Sequence, residues 1–196
     1  MSELQTRKSP RLKGYDYSKS GAYFVTICVK GKHEMLGQIV GADGNPPGNS
    51  KSPEMRCSEY GNIVMKEILN IPNIRKECMV DKFVVMPNHV HIIVQILGAD
   101  GNPPGIGNCP EADIGQPMDN VVQRADCHPP LRRSVSNMVQ GLKGVVSRQI
   151  GFSMWQRSFH DRIIRSHDEY QRIWHYIDQN PSKWEDDCFY VPPIES

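Results

Sequence analysis

Two histidines separated by one residue, His89 and His91, open an apolar run that continues to Leu97. In a strand, residues i and i+2 face the same side. Both imidazoles therefore point one way, while Val90 packs into the opposite face. A pair of neutral imidazoles set like this can clamp a divalent ion. Exposed or hydrogen-bonded histidines also occur at this spacing, so the pair alone is weak. Around a later strand stand Arg157, His160, Arg162 and Arg165, residue types that grip phosphate. Lys143, on the polar face of the helix before them, is a further phosphate candidate. Strand alternation separates Arg157 from His160 and Arg162, so one patch cannot hold them all. A solvated charged face is the commoner meaning of such residues.

Elements of ordinary length position these groups. Residues Ala22 to Val29 are β-branched and aromatic in near-continuous order, as in a buried strand. A helix begins at Ser58 and runs through Asn62, Ile63, Met65, Ile68 and Leu69 to an end near Pro72. The spans Met79 to Val85 and His89 to Leu97 read as strands. Only Met86-Pro87-Asn88 lies between them, too short for a helix, so they pair antiparallel. Ser134 caps a helix whose apolar positions Val135, Met138, Val139, Leu142, Val145 and Val146 recur at three- and four-residue intervals, with Gly151 as its stop. Trp155 to Ile164 reads as a strand and Asp168 to Asn180 as a last helix, with Pro181 just beyond. The order β-α-β-β-α-β-α predicts an α+β fold: a mostly antiparallel sheet with helices packed on one face, of the split βαβ (ferredoxin-like or RRM-like) kind.

Length and composition bound the rest. A chain of 196 residues, 38% hydrophobic and 23% charged, fits a single domain spanning residues 1–196. Fibrous and fully disordered classes are excluded. The seven residues Gly41 to Pro47 recur as Gly98 to Pro104, and an altered copy follows at Ala125 to Pro130. Such short Gly/Pro-rich repeats cannot form packed units. Residues 41–53 and 98–132 are accordingly expected to be disordered surface insertions. The six cysteines, at 28, 57, 78, 109, 127 and 188, lack the spacing of a zinc module and fit reduced thiols. No apolar run reaches the roughly 20 residues of a membrane span, and no secretory core opens the chain. An intracellular, cytoplasmic protein is expected. The net charge is +1, yet Leu131 to Arg172 holds eight basic against three acidic residues, and Arg7, Lys8, Arg11 and Lys13 stand against Glu3 near the start. Both segments could present phosphate-binding surface.

The run Met86-Pro87-Asn88-His89-Val90-His91-Ile92-Ile93-Val94 resembles the HUH motif of single-tyrosine transposases, and most closely the REP-associated tyrosine transposases. The likeness extends through Arg11-Leu12-Lys13-Gly14-Tyr15-Asp16-Tyr17, Gly21 to Thr26, Trp155-Gln156-Arg157, Phe159-His160-Asp161, Ile163-Ile164-Arg165, Tyr176-Ile177 and Asn180-Pro181, in the family's order. It covers nearly all of the chain outside the insertions. The resemblance implies that a helix after the histidine strand carries a nucleophilic tyrosine. Tyr170 and Tyr176 both lie there, about 240° apart at about 100° per residue. Tyr176 shares a face with Asn180, whereas Tyr170 faces with Trp174, a packing residue. Tyr176 is therefore the expected nucleophile. The resemblance places a third metal ligand one turn after the tyrosine, which here is Asn180, with Gln179 as substitute and helix-end capping as the alternative role.

The resemblance further implies cleavage and rejoining of single-stranded or hairpin DNA, from repetitive extragenic palindromes, through a covalent 5′-phosphotyrosine. Mg2+ or Mn2+ is the implied ion for oxygen and nitrogen donors, Mn2+ being the more tolerant of imidazole. Arg11, Lys13, Lys143, Trp155, Arg157, His160, Arg162 and Arg165 are the DNA-binding candidates. Trp155 and the Tyr15/Tyr17 pair could stack on unpaired bases or be buried in the core. The alternative function is a domesticated protein that binds the hairpin without cutting it. A monomer or homodimer in a bacterial cytoplasm, associated with the nucleoid, is the expectation. Trp184 to Ser196 either fold back over the sheet or regulate access to the site.

Overall fold

The computed structural model describes residues 20–41, 53–98 and 134–192. Strand β1 (Gly21–Cys28) leads through a 3-10 turn (Lys30–Lys32) to β2 (Gly37–Val40) and β3 (Glu54–Cys57). Helix α1 (Glu59–Ile74), strands β4 (Cys78–Met86) and β5 (His89–Ile96), helix α2 (Val135–Ile150), strand β6 (His160–Ile164) and helix α3 (His167–Gln179) follow, then a 3-10 turn (Pro181–Asp186). The main sheet has the order β4-β5-β1-β6, and every adjacent pair is antiparallel. With β5 between β1 and β4, this is the expected split βαβ sheet.

Alternation along the two central strands assigns the faces. Tyr23, Val25 and Ile27 of β1 and Val90, Ile92 and Val94 of β5 face one side, where Val64, Ile68 and Ile71 of α1 and Val135, Met138 and Val139 of α2 cover them. Ala22 and Ile93 face the other side and meet Ile177, Ile173 and Tyr170 of α3. Two helices thus share one face, whereas α3 lies on the opposite face, the one that carries the histidines, because its Ile173 and Ile177 pack on Ala22 and Ile93. Covered from both sides, β5 is buried at every position. That explains why it reads as an unbroken apolar run rather than an alternating one.

The helix starts follow their caps: the hydroxyls of Ser58, Ser134 and Ser166 accept from the backbone N–H of Gly61, Asn137 and Glu169. Three departures from the sequence reading have local causes. Helix α1 runs two residues past Pro72, closed by the Arg75 N–H donating to Ile71 O at 2.8 Å. The strand expected from Trp155 shrinks to His160–Ile164, because the Lys143 ammonium draws the carbonyls of Gln156 (2.8 Å) and Ser158 (2.9 Å) off the ladder. Trp155 keeps a single bridge to Val29. The hairpin β2–β3 is additional to the elements the sequence pattern predicts; its ladder from Gly37↔Cys57 to Val40↔Glu54 joins the two flanks of the first repeat. Residues 42–52 and 99–133, which hold nearly all of both insertions, lie outside the described residues. No described helix is long and apolar enough to cross a membrane.

The β2–β3 hairpin is stitched to the start of α1. The Ser58 N–H donates to Leu36 O at 2.8 Å, its hydroxyl to Met35 O at 2.7 Å, and Gly61 lies so close that a Cβ would sit 2.0 Å from Leu36 O. Gly61→Ala must therefore push backbone against backbone, and urea unfolding should show a loss of about 1–3 kcal/mol.

Candidate active site

The turn Pro87–Asn88 closes the β4–β5 hairpin in two residues, with Met86 opposite His89. Asn88 anchors it. Its Nδ2 donates to Lys32 O (3.1 Å) and Phe189 O (2.9 Å), which turns Oδ1 toward His89 Nδ1 at 2.9 Å. A carbonyl oxygen can only accept, so His89 carries its proton on Nδ1 and presents a lone pair at Nε2. Two residues on, His91 Nδ1 lies 2.9 Å from Thr26 Oγ1. A hydroxyl can accept as well as donate, so Thr26 also satisfies His91 with its Nε2 lone pair exposed.

The two Nε2 atoms are 3.0 Å apart, and the residues are 0% and 2% exposed. Burial, joined by the Lys32 charge at His89 and the His89 charge at His91, pushes both pKa values down to about 3. Both rings are neutral at physiological pH. Phe24 stacks on His91 at 5.1 Å and Phe189 lies 4.5 Å from the ring of His89.

Helix α3 brings Tyr176 over this pair. Its hydroxyl is 3.2 Å from His91 Nε2 and donates to Asp187 Oδ2 at 3.2 Å. Asp187 follows the 3-10 turn that reverses the chain after α3; its other oxygen accepts the Phe189 N–H at 2.7 Å. Ligand atoms of His89, His91 and Asp187 lie within 4.8 Å of one another, the single His/Cys/Asp/Glu group of this kind among the described residues. Asn180, 2% exposed, donates from Nδ2 to Asp187 Oδ2 at 3.3 Å, while its Oδ1 is buried with no hydrogen-bond partner. Burial and the Asp187 charge push the Tyr176 phenol up to about 12, against a lowering contribution from Asn180.

These donors fit a divalent cation. Two neutral imidazoles with facing Nε2 atoms and one carboxylate, with an amide oxygen that has no hydrogen-bond partner on neighbouring Asn180, are a mixed N/O set of the kind that holds Mn2+ or Mg2+. An Nε2 separation of 3.0 Å also suits two ligands sharing one ion at bond lengths of about 2.0–2.1 Å.

The sequence candidates divide cleanly. His89, His91, Tyr176 and Asn180 converge, and Tyr176 remains 40% exposed, open to a substrate. Tyr170 points elsewhere: its hydroxyl donates to Asp81 at 2.9 Å, and its ring meets Trp174. Thr26 pairs across the sheet with both His91 and His160, so exposed His160 stands on the site face, one strand beyond Thr26. Arg162 pairs with Glu169 at 2.6 Å yet is 70% exposed, and Arg157 and Arg165 are exposed. Trp155, at 6% exposure, belongs to the core and has no open face for a base. Lys143 is half-buried, held by two carbonyls. Arg11, Lys13, Tyr15 and Tyr17 lie outside the described residues. Sequence reasoning missed Asp187 because no periodicity links it to the other ligands; only the turn after Pro181 brings it back. It missed Thr26 and Asn88 as supports, although Asn88 stands in the quoted motif.

No family model matches the chain. An uncharacterized protein of Haemophilus influenzae is 31% identical over 194 residues, which span 96% of this chain and 95% of that protein. The chain belongs to the family of that protein. Among solved structures, that of a REP-associated tyrosine transposase bound to a REP hairpin is similar with a TM-score of 0.53 and 18% identity, covering 94% of this chain and 74% of the other. The fold of this family member is thus the α+β fold of the REP-associated tyrosine transposases.

Two outcomes follow for the family member. His89 and His91 have folded pKa values below the ordinary value of 6.5. The unfolded chain thus binds more protons than the folded one between about pH 6.5 and pH 3, and stability falls as pH drops through that window, by at most about 1.4 kcal/mol per unit and histidine. Urea midpoints measured from pH 7 to pH 4 should decline, and less steeply in His91→Gln. Asn88→Ala frees the His89 tautomer and should weaken Mn2+ affinity by about 10–100-fold in calorimetric titration.

Proposed function

We propose that this protein cuts and rejoins DNA strands through a covalent link between Tyr176 and a 5′-phosphate. The observation that carries the reading is the 3.2 Å approach of the Tyr176 hydroxyl to His91 Nε2, beside a His–His–Asp group able to hold a metal. Three features support it together: the motif resemblance, the transposase fold and a half-exposed phenol at a cation-ready cluster. None of them requires a second subunit, since nucleophile and donors come from one chain.

At neutral pH the Tyr176 phenol is protonated, its pKa raised by burial and by Asp187. Asp187 Oδ2 accepts a hydrogen bond from it in the resting site and orients the phenol; as the phenolic oxygen attacks phosphorus its proton is released to solvent water. His89, His91 and Asp187 would hold a divalent ion, which when bound would supply polarisation of a phosphate oxygen and neutralise charge developing there; Asn180 stands beside them through its hydrogen bond to Asp187. As the bond from the Tyr176 oxygen to phosphorus forms, the bond from phosphorus to the 3′-oxygen breaks, and that oxygen takes a proton from solvent water to leave as a free hydroxyl, balancing the proton released by the phenol. The phosphodiester energy is kept in the tyrosyl ester, so a second 3′-hydroxyl can attack it and restore Tyr176 without a nucleotide cofactor.

The substrate class follows the structural neighbour, which is bound to a REP hairpin. Exposed Arg157, His160, Arg162 and Arg165 lie along the segment that ends at α3 and are placed to hold phosphates near the cut. Arg11 and Lys13 add phosphate contacts, Lys143 orders the carbonyls beside Arg157, and Trp155 supports the same segment from the core. The protein acts on DNA in the bacterial cytoplasm, as a monomer or homodimer.

Incubation with end-labelled hairpin DNA and Mn2+, followed by denaturing electrophoresis, tests the reading. The wild type should give a protein–DNA adduct that Tyr176→Phe abolishes with hairpin binding retained. Chelation and His89→Ala should both suppress the adduct, and Asp187→Asn should lower its yield while leaving the fold intact. Hairpin binding without an adduct under any divalent ion would instead identify a domesticated binding protein. An adduct that survives Tyr176→Phe and disappears in Tyr170→Phe would falsify the assignment.

A further inference from the structure

From the packing of α3 against β4 we infer that Asp81 and Lys82 form a two-point clamp that sets the position of the Tyr176 phenol; the inference rests on Tyr176 as nucleophile. In the β4–β5 ladder Val80 pairs with Val94 and Lys82 with Ile93, so Asp81 is the extra residue of a bulge. A regular strand sends consecutive side chains to opposite faces; a bulge frees two neighbours to serve one face. Here both reach α3. Asp81 Oδ2 accepts from the Tyr170 hydroxyl at 2.9 Å, and Lys82 Nζ pairs with Asp178 Oδ1 at 2.5 Å while standing 4.2 Å over the Trp174 ring.

Apolar contact alone would not fix the helix. Its sheet-facing side offers Ile173 and Ile177 to Ala22, Ile93 and Ile164, and hydrophobic burial has no preferred direction. A slip of one turn moves side chains by about 5.4 Å. Such a slip would carry the Tyr176 hydroxyl far from its 3.2 Å contact with His91. The two ties grip positions 170 and 178, about 12 Å apart along the axis, and hydrogen-bond distance tolerances forbid both sliding and rotation. Asp81 is itself held: Gln95 Nε2 donates to the same Oδ2 at 2.6 Å. A conserving exchange is also available, because Gln95 Oε1 is buried with no hydrogen-bond partner and could accept from an amide at position 81. Asp81 and Tyr170 are thus positioning residues, acting through the placement of α3.

The test uses the full chain, with Tyr170→Phe removing one hydroxyl and Asp81→Asn retaining an acceptor for it. Single-turnover adduct formation with hairpin DNA and Mn2+ should slow by about 10–100-fold in Tyr170→Phe, since small misplacements of a reacting group have effects of this size. Hairpin affinity should be unchanged, and Asp81→Asn should react at close to the wild-type rate. A clamp that is merely structural would lower the melting temperature of Tyr170→Phe and leave its rate alone, which overturns the inference, as does an Asp81→Asn rate as slow as that of Tyr170→Phe. A second measurement does not depend on turnover: 3-fluorotyrosine placed at position 176 reports its environment by 19F NMR. One line in the otherwise unaltered chain and several, or a shifted one, with Tyr170→Phe support the clamp even if no adduct forms in any variant, in which case the proposed reaction fails and the positioning stands. Identical spectra overturn it.

Discussion

Two buried imidazole nitrogens, His89 Nε2 and His91 Nε2, are held 3.0 Å apart with their hydrogen-bond partners on the far side of each ring. Neutral by burial and this close, they cannot both direct an electron pair at the gap without a proton or a cation between them. Much of the molecule serves this placement. The two-residue Pro87–Asn88 turn allows β5 to begin at His89, and Asn88 ties that turn to the chain at Lys32 and Phe189. Thr26, from the neighbouring central strand, supports the second ring.

Because β5 is central and covered on both faces, the pair sits on rigid, deeply buried backbone rather than on a loop. Its inner face is closed by α1 and α2, whose apolar stripes carry most of the core. The outer face receives α3, a helix whose apolar surface is small and whose attachment relies on polar contacts at Asp81, Lys82 and Glu169. The contrast is physically sensible. A scaffold can be secured by area, while a helix that must deliver one hydroxyl to within hydrogen-bond reach needs directional bonds.

Electrostatics follow from the same arrangement. Burial depresses the two histidines and raises the Tyr176 phenol, so all three are uncharged at neutral pH beside the Asp187 carboxylate. A carboxylate beside two neutral nitrogen donors favours a cation between them. The surrounding rings of Phe24 and Phe189 keep the local dielectric low and strengthen that preference.

The strands, helices and caps were legible because they depend on local patterns: apolar runs, serine caps, Gly151 and the short Pro87–Asn88 link. That both histidines share one side follows from strand geometry alone, and that Tyr170 and Tyr176 lie on different faces of one helix follows from helical angle. Asp187 was not legible, since it lies on no periodic element and reaches the site only through the chain reversal after Pro181. Nor was the start of the last strand, where Lys143 competes for the carbonyls of Gln156 and Ser158. Sequence by itself thus determined which residues could share a face of one element, because helix and strand periods are set by covalent geometry. Only tertiary structure decided which faces meet, which carboxylate joins the histidines and how α3 is locked, because those depend on contacts between residues far apart in the chain.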